Sequence, residues 1–373
     1  MKIAFMGIRG VPANYSGFEI FVEEFGSRLV EKGHLVTVYN RANWVSYKEK
    51  TYRGMRLVSL PTIQNKHLDT IAHTFLSMLH GIFNKYDIVY ICGVGNSPLS
   101  FLPRIFGCKT ILNVDGLDWQ REKWGRIAKF YLKASEYIAT IFANIIISDS
   151  KTIQEYYIRQ YNKQTVYIPY GANIKQASSA DIQNDNFLSL FGVERGKYIL
   201  FVGRLVPENG VHYLIESYLK LQTDLKLVIV GDAPYSKRYI CSLKSFKNKN
   251  IIFTGYLFGE RYRQLSSQAC IFVLPSKSGG TRPVLLEQMA LGNCVLVNEI
   301  QQNLETIGEA GCSYSEEAKD NSLKDKLEYL INNPEIRKAY SKKAVEWVKK
   351  EYSWDRVADS YEQLFKLAKN DQG

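Results

Sequence analysis

Short apolar runs alternate with amphipathic stretches along most of the chain, and this alternation occurs in two sets. The first set comprises Lys2–Met6, Leu35–Tyr39, Tyr86–Cys92, Lys109–Val114, Asn144–Ser148 and Thr165–Ile168. The second set comprises Tyr198–Val202, Lys226–Val230, Asn250–Thr254, Cys270–Leu274 and Cys294–Asn298. Such short apolar runs are typical of parallel strands buried on both faces. The pattern therefore predicts a doubly wound α/β protein, in which helices connect parallel strands.

A polar segment at residues 173–186 interrupts this alternation and predicts a boundary between two domains. It is rich in Ser, Asn, Asp and Gln and has little periodicity, as in a linker. A length of 373 residues also suits two domains better than one core. We expect one domain at residues 1–172 and a second at residues 187–353, followed by a helix at residues 354–373. Two such sheets typically bind a ligand in the cleft between them, at the carboxyl ends of the strands.

Composition and charge favour a soluble protein with an anionic partner. The chain is 46% hydrophobic and 23% charged, and its formal net charge is +11. Residues 1–185 supply +7 of this charge, which leaves a phosphorylated substrate, a membrane surface and a nucleic acid open. Without a signal-like stretch after Met1 or an apolar run long enough to span a bilayer, we expect a cytoplasmic protein with at most peripheral membrane contact. The six scattered cysteines are expected to be reduced.

The loop Gly7–Gly17, between the first strand and the first helix, predicts a ligand-binding loop. Its three glycines allow the backbone to approach a ligand closely, and the helix Phe18–Glu31 that follows offers free N–H groups to phosphate. A plain connection between strand and helix is the alternative, but eleven residues is long for one. The loop does not match the GxGxxG pattern, which disfavours NAD or FAD.

The stretch Phe201–Gly210 places Arg204 directly after a strand of the second domain. At the carboxyl end of a strand this guanidinium would face the cleft, where its planar shape suits a diphosphate. The alternative is a surface salt bridge with Glu208.

The stretch Pro275–Asn293 predicts a second anion-binding helix start, in which Thr281 would cap a helix that begins near Pro283. Glu287 lies about one turn further into that helix. Its carboxylate can accept hydrogen bonds from ribose hydroxyls, whereas a solvated helix residue is the alternative.

The stretch Asn113–Trp124 follows a strand of the first domain and combines carboxylates, an arginine and tryptophans. The candidate side chains are Asp115, Asp118, Trp119, Arg121 and Trp124. Aromatic rings stack on sugars, and an aspartate can accept a proton from a hydroxyl group. For both aspartates, a structural turn that caps the next helix is the alternative.

Residues 119–133 contain five basic residues, one acid and several aromatic residues. A basic, aromatic helix of this kind could rest on an anionic membrane or a lipid diphosphate. A solvated helix face explains the pattern equally well.

Motifs for metal binding are not found in the sequence. The five histidines show neither HExxH nor zinc-site spacing, and there is no DxD pair and no Walker loop. His73 and His80, seven residues apart on one helix face, are expected to pack. We therefore predict no metal and no cofactor.

Taken in order, these four stretches resemble the retaining glycosyltransferases of family 4. The resemblance is narrower to bacterial rhamnosyltransferase-type proteins, whose first domain begins GTRGIPAxYGGFETFVE, matched here by Gly7–Glu19. The same group has DGLEWKRxKW, GRxVPENN and VGGTNPxLLEAM, matched by Asp115–Trp124, Gly203–Gly210 and Ser278–Met289. The resemblance covers nearly the whole chain. It implies a GT-B fold, with two Rossmann-like domains facing across a deep cleft and the last helix packing back on the first domain.

The resemblance also implies roles for individual residues. The donor site would comprise Gly17, Arg204, Asn209, Tyr256, Gly279, Gly280, Thr281, Leu286 and Glu287. Asp115 and Arg204 would be catalytic. The acceptor would contact Asp118, Trp119, Arg121 and Trp124. The reaction would move a sugar, with L-rhamnose as the leading donor sugar, from a dTDP- or UDP-sugar to a growing glycan, without a metal and with retained configuration.

Four positions depart from the family pattern: Ser16 where the narrower group has glycine, Asn209 where the wider family has lysine, Lys277 and Gly279. Gly279 stands where family 4 enzymes have a glutamate, and Lys277 stands where the narrower group has Glu or Ser. Lys277 keeps open a non-catalytic subunit that binds sugar nucleotides or glycans. A nucleotide-sugar epimerase is a further alternative, whereas a nucleic-acid binder would explain the charge but not the glycine loops.

Overall fold

In a computed structural model, the described residues are 1–13, 17–65, 68–120, 124–173, 186–233, 236–277, 280–315 and 322–370. The chain divides into two compact units. The first unit comprises Met1–Gly171 and Trp354–Gly373, and the second comprises Ala172–Ser353. Most of the polar segment that predicts a domain boundary, residues 174–185, lies outside the described residues.

Each unit is built on one sheet. The strands are β1 (Lys2–Met6), β2 (Leu35–Arg41), β3 (Thr51–Tyr52), β4 (Met55–Leu60), β5 (Ile88–Cys92), β6 (Lys109–Val114), β7 (Ile145–Ser148), β8 (Val166–Tyr167), β9 (Tyr198–Val202), β10 (Lys226–Val230), β11 (Ile251–Gly255), β12 (Ile271–Leu274), β13 (Cys294–Asn298) and β14 (Cys312–Tyr314). In the described chain the sheet orders are β3-β4-β2-β1-β5-β6-β7-β8 and β11-β10-β9-β12-β13-β14. Every pairing is parallel except that of β3 with β4.

Helices connect most of the parallel strands. They are α1 (Gly17–Glu31), α2 (Asp69–Ile82), α3 (Phe101–Ile105), α4 (Arg126–Phe142), α5 (Lys151–Tyr161), α6 (Asn186–Ser189), α7 (Val211–Tyr218), α8 (Lys237–Lys244), α9 (Gly259–Ser267), α10 (Pro283–Ala290), α11 (Gln301–Ile307), α12 (Leu323–Asn332), α13 (Pro334–Glu351) and α14 (Trp354–Asn370). Local signals set several ends. Ser150 caps α5 by accepting a hydrogen bond from the Ile153 N–H, and Ser322 and Asp325 form a capping box at α12.

In the first unit, the strand order places helices on both faces of the sheet. The chain moves to one side of β1 as far as β4, and then to the other side from β5 to β8. Because crossovers between parallel strands are right-handed, α1 lies on one face and α2 to α5 lie on the opposite face. Helix α14 packs on α1, where the rings of Phe25 and Tyr361 are 4.6 Å apart and the hydroxyl groups of Tyr90 and Tyr361 are hydrogen-bonded at 3.0 Å.

In the second unit, the sheet core is formed by apolar side chains of β9, β10, β12 and β13, which are almost completely buried. The parallel arrangement brings the carboxyl ends of these strands to one edge of the sheet, as it does in the first unit. The loops that carry the candidate residues follow these carboxyl ends.

Candidate functional site

In the second unit, the turn after β9 places Arg204 at the carboxyl end of a central strand. The N–H of Leu205, the next residue, donates to the carbonyl of Asp232 at 3.3 Å, which joins this turn to the loop after β10. Arg204 is half-buried, and within the described chain it forms no ion pair with Glu208. The alternative of an Arg204–Glu208 salt bridge is therefore not realised.

Asn209 joins the turn after β9 to the loop after β12. Its side chain is buried; the amide nitrogen donates to the carbonyl of Arg204 at 2.8 Å. Its amide oxygen accepts hydrogen bonds from the Ser276 hydroxyl and from Nη1 of Arg282, both at 3.3 Å. The arrangement brings a second guanidinium, that of Arg282, close to the turn that carries Arg204. The sequence interpretation missed Arg282, although a cation at a helix start was a usable signal.

Helix α10 begins one residue later than the predicted Thr281 cap requires. Its N-cap is Arg282, with extended backbone angles of φ −99° and ψ 113°, and the Arg282 side chain makes no capping hydrogen bond. The ring of a proline disfavours helical backbone angles at the residue before it. Pro283 therefore keeps Arg282 out of the helix and sets the helix boundary there. The predicted Thr281 cap is therefore wrong. Gly280 and Thr281 are buried beside this helix start, whereas Gly279 lies outside the described residues.

Glu287 is held by a chain of hydrogen bonds from α9 and from the end of α10. The Tyr262 hydroxyl donates to a Glu287 carboxylate oxygen at 2.7 Å, and the Gln288 amide donates to that hydroxyl at 3.1 Å. The Asn293 amide in turn donates to the Gln288 oxygen at 2.6 Å. The half-buried carboxylate is thus fixed in orientation. Leu286 is fully buried, so only its backbone can reach a ligand.

Tyr256 and Phe258 form an exposed aromatic pair after β11. Their rings are stacked, with centroids 5.7 Å apart and an interplanar angle of 23°. The Tyr256 hydroxyl donates to the carbonyl of Asp232 at 3.0 Å, which ties the pair to the loop after β10. The sequence interpretation named Tyr256 and missed Phe258. A flat exposed pair of this kind can stack on a planar ligand.

Lys277, the charged residue that departs from the family pattern, lies over an aromatic ring. Its ammonium nitrogen is 3.8 Å from the ring centroid of Tyr213 in α7, a cation–π distance. The loop after β12 is therefore joined to α7 as well as to Asn209.

Two glycines allow the loops at this edge to approach closely. A Cβ atom on Gly231, where φ is +135°, would lie 1.9 Å from the carbonyl oxygen of Gly203. A Cβ atom on Gly210, where φ is +70°, would lie 2.4 Å from the carbonyl oxygen of Pro275. Only glycine fits at either position, because larger residues would meet backbone atoms.

In the first unit, polar side chains hold the loop after β1. The carboxylate of Glu19, which is buried, accepts the N–H of Arg9 at 3.1 Å. The side chain of Asn40 accepts the N–H of Val11 at 3.0 Å and donates to its carbonyl at 2.7 Å. Gly17 is the first residue of α1, and residues 14–16 before it lie outside the described chain. The described part of the predicted ligand loop is therefore fixed by side chains from α1 and β2.

Further cationic groups lie close to this loop. Arg41 and Asp69 form a buried ion pair with an N–O distance of 2.7 Å. The guanidinium of Arg9 lies 3.8 Å from the ring centroid of Trp44. These contacts join the loop to β2 and α2 and were not foreseen from the sequence.

Asp115 directly follows β6, at the carboxyl end of that strand, and is half-buried. Burial raises the pKa of Cys92, and the negative charges of Glu19 and Asp115 raise it further. Burial likewise raises the pKa of Tyr170, with additional effects from Asp115 and Asp149. The charges of three carboxylates, Glu19, Asp115 and Asp149, thus act on these two buried groups.

Asp118 and Trp119 lie in a 3₁₀ turn just after β6, and both are half-buried. Trp119 and Trp124 pack against the core beneath α4. The Lys133 ammonium lies 4.7 Å from the Trp119 ring centroid. Arg121 lies outside the described residues.

Lys133 is in turn held by a polar cluster under α4. The carboxylate of Glu136 is buried and accepts hydrogen bonds from Lys133 at 3.2 Å and from the hydroxyls of Tyr156 and Tyr161, both at 2.8 Å. This buried carboxylate is satisfied by three donors. It fixes the lysine that covers the Trp119 ring.

The described residues show neither a candidate metal site nor a membrane-spanning helix. They contain no group of three or more His, Cys, Asp or Glu side chains that could hold a metal ion. Within the same residues, no helix combines the length and the apolar character needed to cross a membrane.

Two family models divide the chain at almost the same place as the structure. Residues 1–173 match a model described as a domain of unknown function, DUF1972. Residues 185–347 match a model described as glycosyl transferases group 1. The chain carries a glycosyltransferase group 1 domain. That domain contains Arg204, Asn209, Arg282 and Glu287.

Individual proteins support the same assignment. An uncharacterized glycosyltransferase of Methanocaldococcus jannaschii is 25% identical over 99% of this chain and 98% of its own length. A Campylobacter jejuni N-acetylgalactosaminyltransferase that acts on a diphospho-undecaprenol-linked sugar is 24% identical over 66% of this chain and 67% of its own. The structure of Anabaena HepE with UDP-glucose has a TM-score of 0.78 and 17% identity, and covers 98% of this chain and 99% of that one. The predicted GT-B fold is confirmed, and the comparisons support glycosyltransferase activity.

Proposed function

We propose that the chain transfers a sugar from a nucleoside-diphosphate donor, which binds at the carboxyl ends of β9 and β12 in the group 1 domain. The observation that carries this proposal is that the Asn209 side chain bonds both the backbone carbonyl of Arg204 and the guanidinium of Arg282. One guanidinium can donate two parallel hydrogen bonds to phosphate oxygens. Hydrogen bonds to charged groups contribute about 1.5–3 kcal/mol each. Asn209 thus holds the Arg282 guanidinium beside the turn that carries Arg204, and two arginines so placed suit the two phosphates of such a donor.

The nucleoside would be bound by residues next to this pair. Glu287, oriented by Tyr262, would accept hydrogen bonds from the ribose hydroxyls. The base would stack near Tyr256 and Phe258. Uridine or deoxythymidine is the proposed nucleoside, and the likeness to a structure that contains UDP-glucose supports a uridine donor. Gly17, Gly279, Gly280, Thr281 and Leu286 would complete the donor site.

For the chemistry, we propose transfer with retained configuration and without a metal ion. Arg204 would stabilise the negative charge of the departing diphosphate, as preorganised donors do at a developing charge. Attack would occur on the face from which the diphosphate leaves, and the departing phosphate would take the acceptor proton. Asp115 would orient the acceptor hydroxyl. L-rhamnose is the proposed donor sugar, on the resemblance of the four motifs.

The acceptor would be a growing cell-wall or capsule glycan, carried on a polyprenyl diphosphate at the inner face of the cell membrane. Asp118, Trp119, Arg121 and Trp124 would contact it. The positive charge of residues 1–185 supports an acceptor with an anionic lipid diphosphate. The similarity to a transferase named for a diphospho-undecaprenol substrate supports the same class of acceptor.

The test uses labelled dTDP- and UDP-sugars with lipid-linked acceptors, after a thermal-shift screen has identified the best donor. Arg204→Ala is expected to lower kcat/KM by about 100-fold or more, because a preorganised donor is lost. Glu287→Ala is expected to lower donor affinity by about tenfold. Arg195→Ala and Glu216→Ala change exposed residues of the same unit and serve as matched controls. Full activity of both site variants would refute the proposed site.

The contact of Lys277 with Tyr213 supports a second candidate, a non-catalytic subunit that binds sugar nucleotides or glycans. A cation here replaces the Glu or Ser of the proteins that the chain resembles. Donor binding without transfer or hydrolysis, across the whole acceptor panel, would favour this candidate. Recovery of turnover in Lys277→Glu would show that this residue alone blocks the reaction.

A further inference from the structure

Helices α2, α3 and α4 present an unusually apolar outer surface on one face of the first unit's sheet. About half of the large apolar side chains exposed in the described chain lie on these helices or on the residue that follows each of α2 and α3. We name this surface the α2–α4 face. Its most exposed apolar residues are Phe83, Ile105, Ile127, Phe130, Tyr137 and Ile141.

Helix α4 is apolar on its outer side as well as on its buried side. Ile127, Phe130, Tyr137 and Ile141 follow one another at spacings of three, seven and four residues, which places them along one stripe of a helix. Ile127 is 88% exposed and Phe130 is 78% exposed. Leu132 lies on the other side, in the core. An exposed stripe of this kind is not needed for packing within the unit.

Contacts between the helices make the surface continuous. The rings of Phe101 in α3 and Phe142 in α4 are 5.4 Å apart. Nη1 of Arg104 donates to the carbonyls of Ile141 and Phe142, at 3.3 and 3.0 Å. Helix α2 borders α3 on the same face of the sheet, so Phe83 extends the surface beyond α3. Contiguous exposed apolar surface of this extent marks an interaction site.

The charges of the α2–α4 face have one sign. The two acidic residues of the three helices, Asp69 and Glu136, are both buried and paired with Arg41 and Lys133. Exposed cations instead stand beside the exposed apolar residues: Lys85 follows Phe83 by two residues, Arg104 precedes Ile105, and Arg126 precedes Ile127. Among the described residues of these helices, cations reach the surface and carboxylates do not.

We propose that the α2–α4 face docks on an anionic lipid bilayer. Apolar side chains would enter the boundary between headgroups and acyl chains, and the neighbouring cations would bind anionic headgroups. A second copy of the chain is a poorer fit, because a symmetric pair of these faces would bring cations against cations. The inference deepens the proposed use of a lipid-linked acceptor and rests on it only for its biological purpose, since bilayer binding needs neither donor nor acceptor.

The experiment is co-sedimentation of the full chain with vesicles of phosphatidylcholine alone or mixed with phosphatidylglycerol. The wild type is expected to bind the mixed vesicles at least about tenfold more tightly than the neutral ones. Ile127→Ser with Phe130→Ser is expected to lower the partition coefficient about tenfold or more on mixed vesicles. Lys85→Gln with Arg126→Gln is expected to lower it on the order of tenfold there, with little change on neutral vesicles.

Two matched controls replace exposed leucines that lie outside the α2–α4 face. Leu367→Ser changes a residue of α14 that is 68% exposed, and Leu190→Ser changes one in the second unit that is 76% exposed. Both should bind vesicles as the wild type does. Equal losses in the controls and in Ile127→Ser with Phe130→Ser, or equal binding by all variants, would overturn the inference. So would a lipid-free dimer, seen by analytical ultracentrifugation, that Ile127→Ser with Phe130→Ser abolishes.

Thermal stabilisation by UDP, measured on the same samples, separates this inference from the proposed function and checks folding. Stabilisation by UDP without vesicle binding would overturn only the docking surface. Vesicle binding without stabilisation by any nucleotide or nucleotide sugar would overturn only the donor site.

Discussion

The hydroxyl of Tyr262 donates a hydrogen bond of 2.7 Å to the carboxylate of Glu287, across the gap between α9 and α10. Burial raises the pKa of Tyr262 well above its usual range, and the charge of Glu287 raises it further. The hydroxyl therefore keeps its proton. Because the Gln288 amide also donates to the Tyr262 oxygen, the hydroxyl hydrogen is directed to Glu287. The orientation of Glu287, which is proposed to bind the ribose, thus depends on Tyr262, a residue that need not touch the ribose.

Tyr262→Phe is expected to weaken UDP binding about tenfold. The change removes one hydrogen bond to a charged group, which contributes about 1.5–3 kcal/mol, and about 1.4 kcal/mol corresponds to tenfold in affinity. Titration calorimetry with UDP measures the loss. The remaining ring still fills the space between α9 and α10, so the fold should be retained.

Tyr329→Phe is the matched control for this change, because Tyr329 lies in the same unit and is half exposed. It should bind UDP with unchanged affinity. Unchanged affinity in Tyr262→Phe itself would mean that Glu287 is positioned without Tyr262, or that it does not contact the nucleotide.

Gly231→Ala is expected to disrupt the Arg204 turn. The new methyl group would lie 1.9 Å from the carbonyl oxygen of Gly203, and φ at this position is +135°, which alanine rarely adopts. We expect the free energy of unfolding to fall by about 3 kcal/mol or more, together with a loss of UDP binding. Urea unfolding and thermal shift with UDP measure the two effects.

Gly196→Ala separates backbone strain from the steric clash. Gly196 also has a positive φ, of +69°, but nothing lies within 4 Å of the position that a Cβ would occupy. It should lose about 1 kcal/mol through strain alone and keep its UDP affinity. Equal effects of both substitutions would show that the contact with Gly203 does not set the geometry of the Arg204 turn.

The sequence predicts strands well where both faces are buried. The runs Lys2–Met6 and Lys226–Val230 coincide with β1 and β10, because a strand in the middle of a parallel sheet is apolar throughout. Three strands, β3, β4 and β14, were missed, and β3 has only two residues. β4 is partly exposed and its apolar residues alternate with polar ones, and β14 has three residues, so neither forms an apolar run.

The sequence locates the loops of the candidate site but not the contacts between them. Arg204 could be singled out because it follows a strand end, and Glu287 because it lies about one turn into a helix that a glycine loop precedes; both are local signals. The link from Asn209 to Arg282 spans 73 residues and that from Tyr262 to Glu287 spans 25. Such pairs depend on which loops meet at the edge of the sheet, and one sequence carries no local signal of that.

A double-mutant cycle on Lys133 and Glu136 tests whether their ion pair stabilises the region around Trp119. Lys133→Met removes a donor from a buried carboxylate and is expected to lower the free energy of unfolding by about 1–3 kcal/mol. Because Glu136→Gln removes the charge that Lys133 pairs with, the double variant should lose less than the sum of the single variants, by about 0.5–3 kcal/mol. Urea unfolding of the four proteins gives the coupling.

The exposed pair Arg159 and Glu155, on the neighbouring helix α5, provides the matched comparison for this cycle. Its coupling should not exceed about 0.5 kcal/mol, because exposed pairs contribute little. If Lys133→Met and Glu136→Gln changed the free energy of unfolding additively, the ion pair would not stabilise the region around Trp119.

The buried His73 is expected to make stability depend on pH between about 4 and 6.5. As expected from the sequence it packs, and its Nε2–H donates to the carbonyl of Asn40 at 3.1 Å. Burial, together with the charge of Arg41, lowers the pKa of His73 from 6.5 to about 4. In this window the unfolded chain therefore binds a proton that the folded chain does not, so stability rises with pH, by up to about 1.4 kcal/mol per unit.

His73→Gln should flatten this rise in urea-unfolding profiles, whereas Ser77→Ala, on the same helix, should lower stability without changing the slope. A slope that His73→Gln leaves unchanged would assign the pH dependence to other groups.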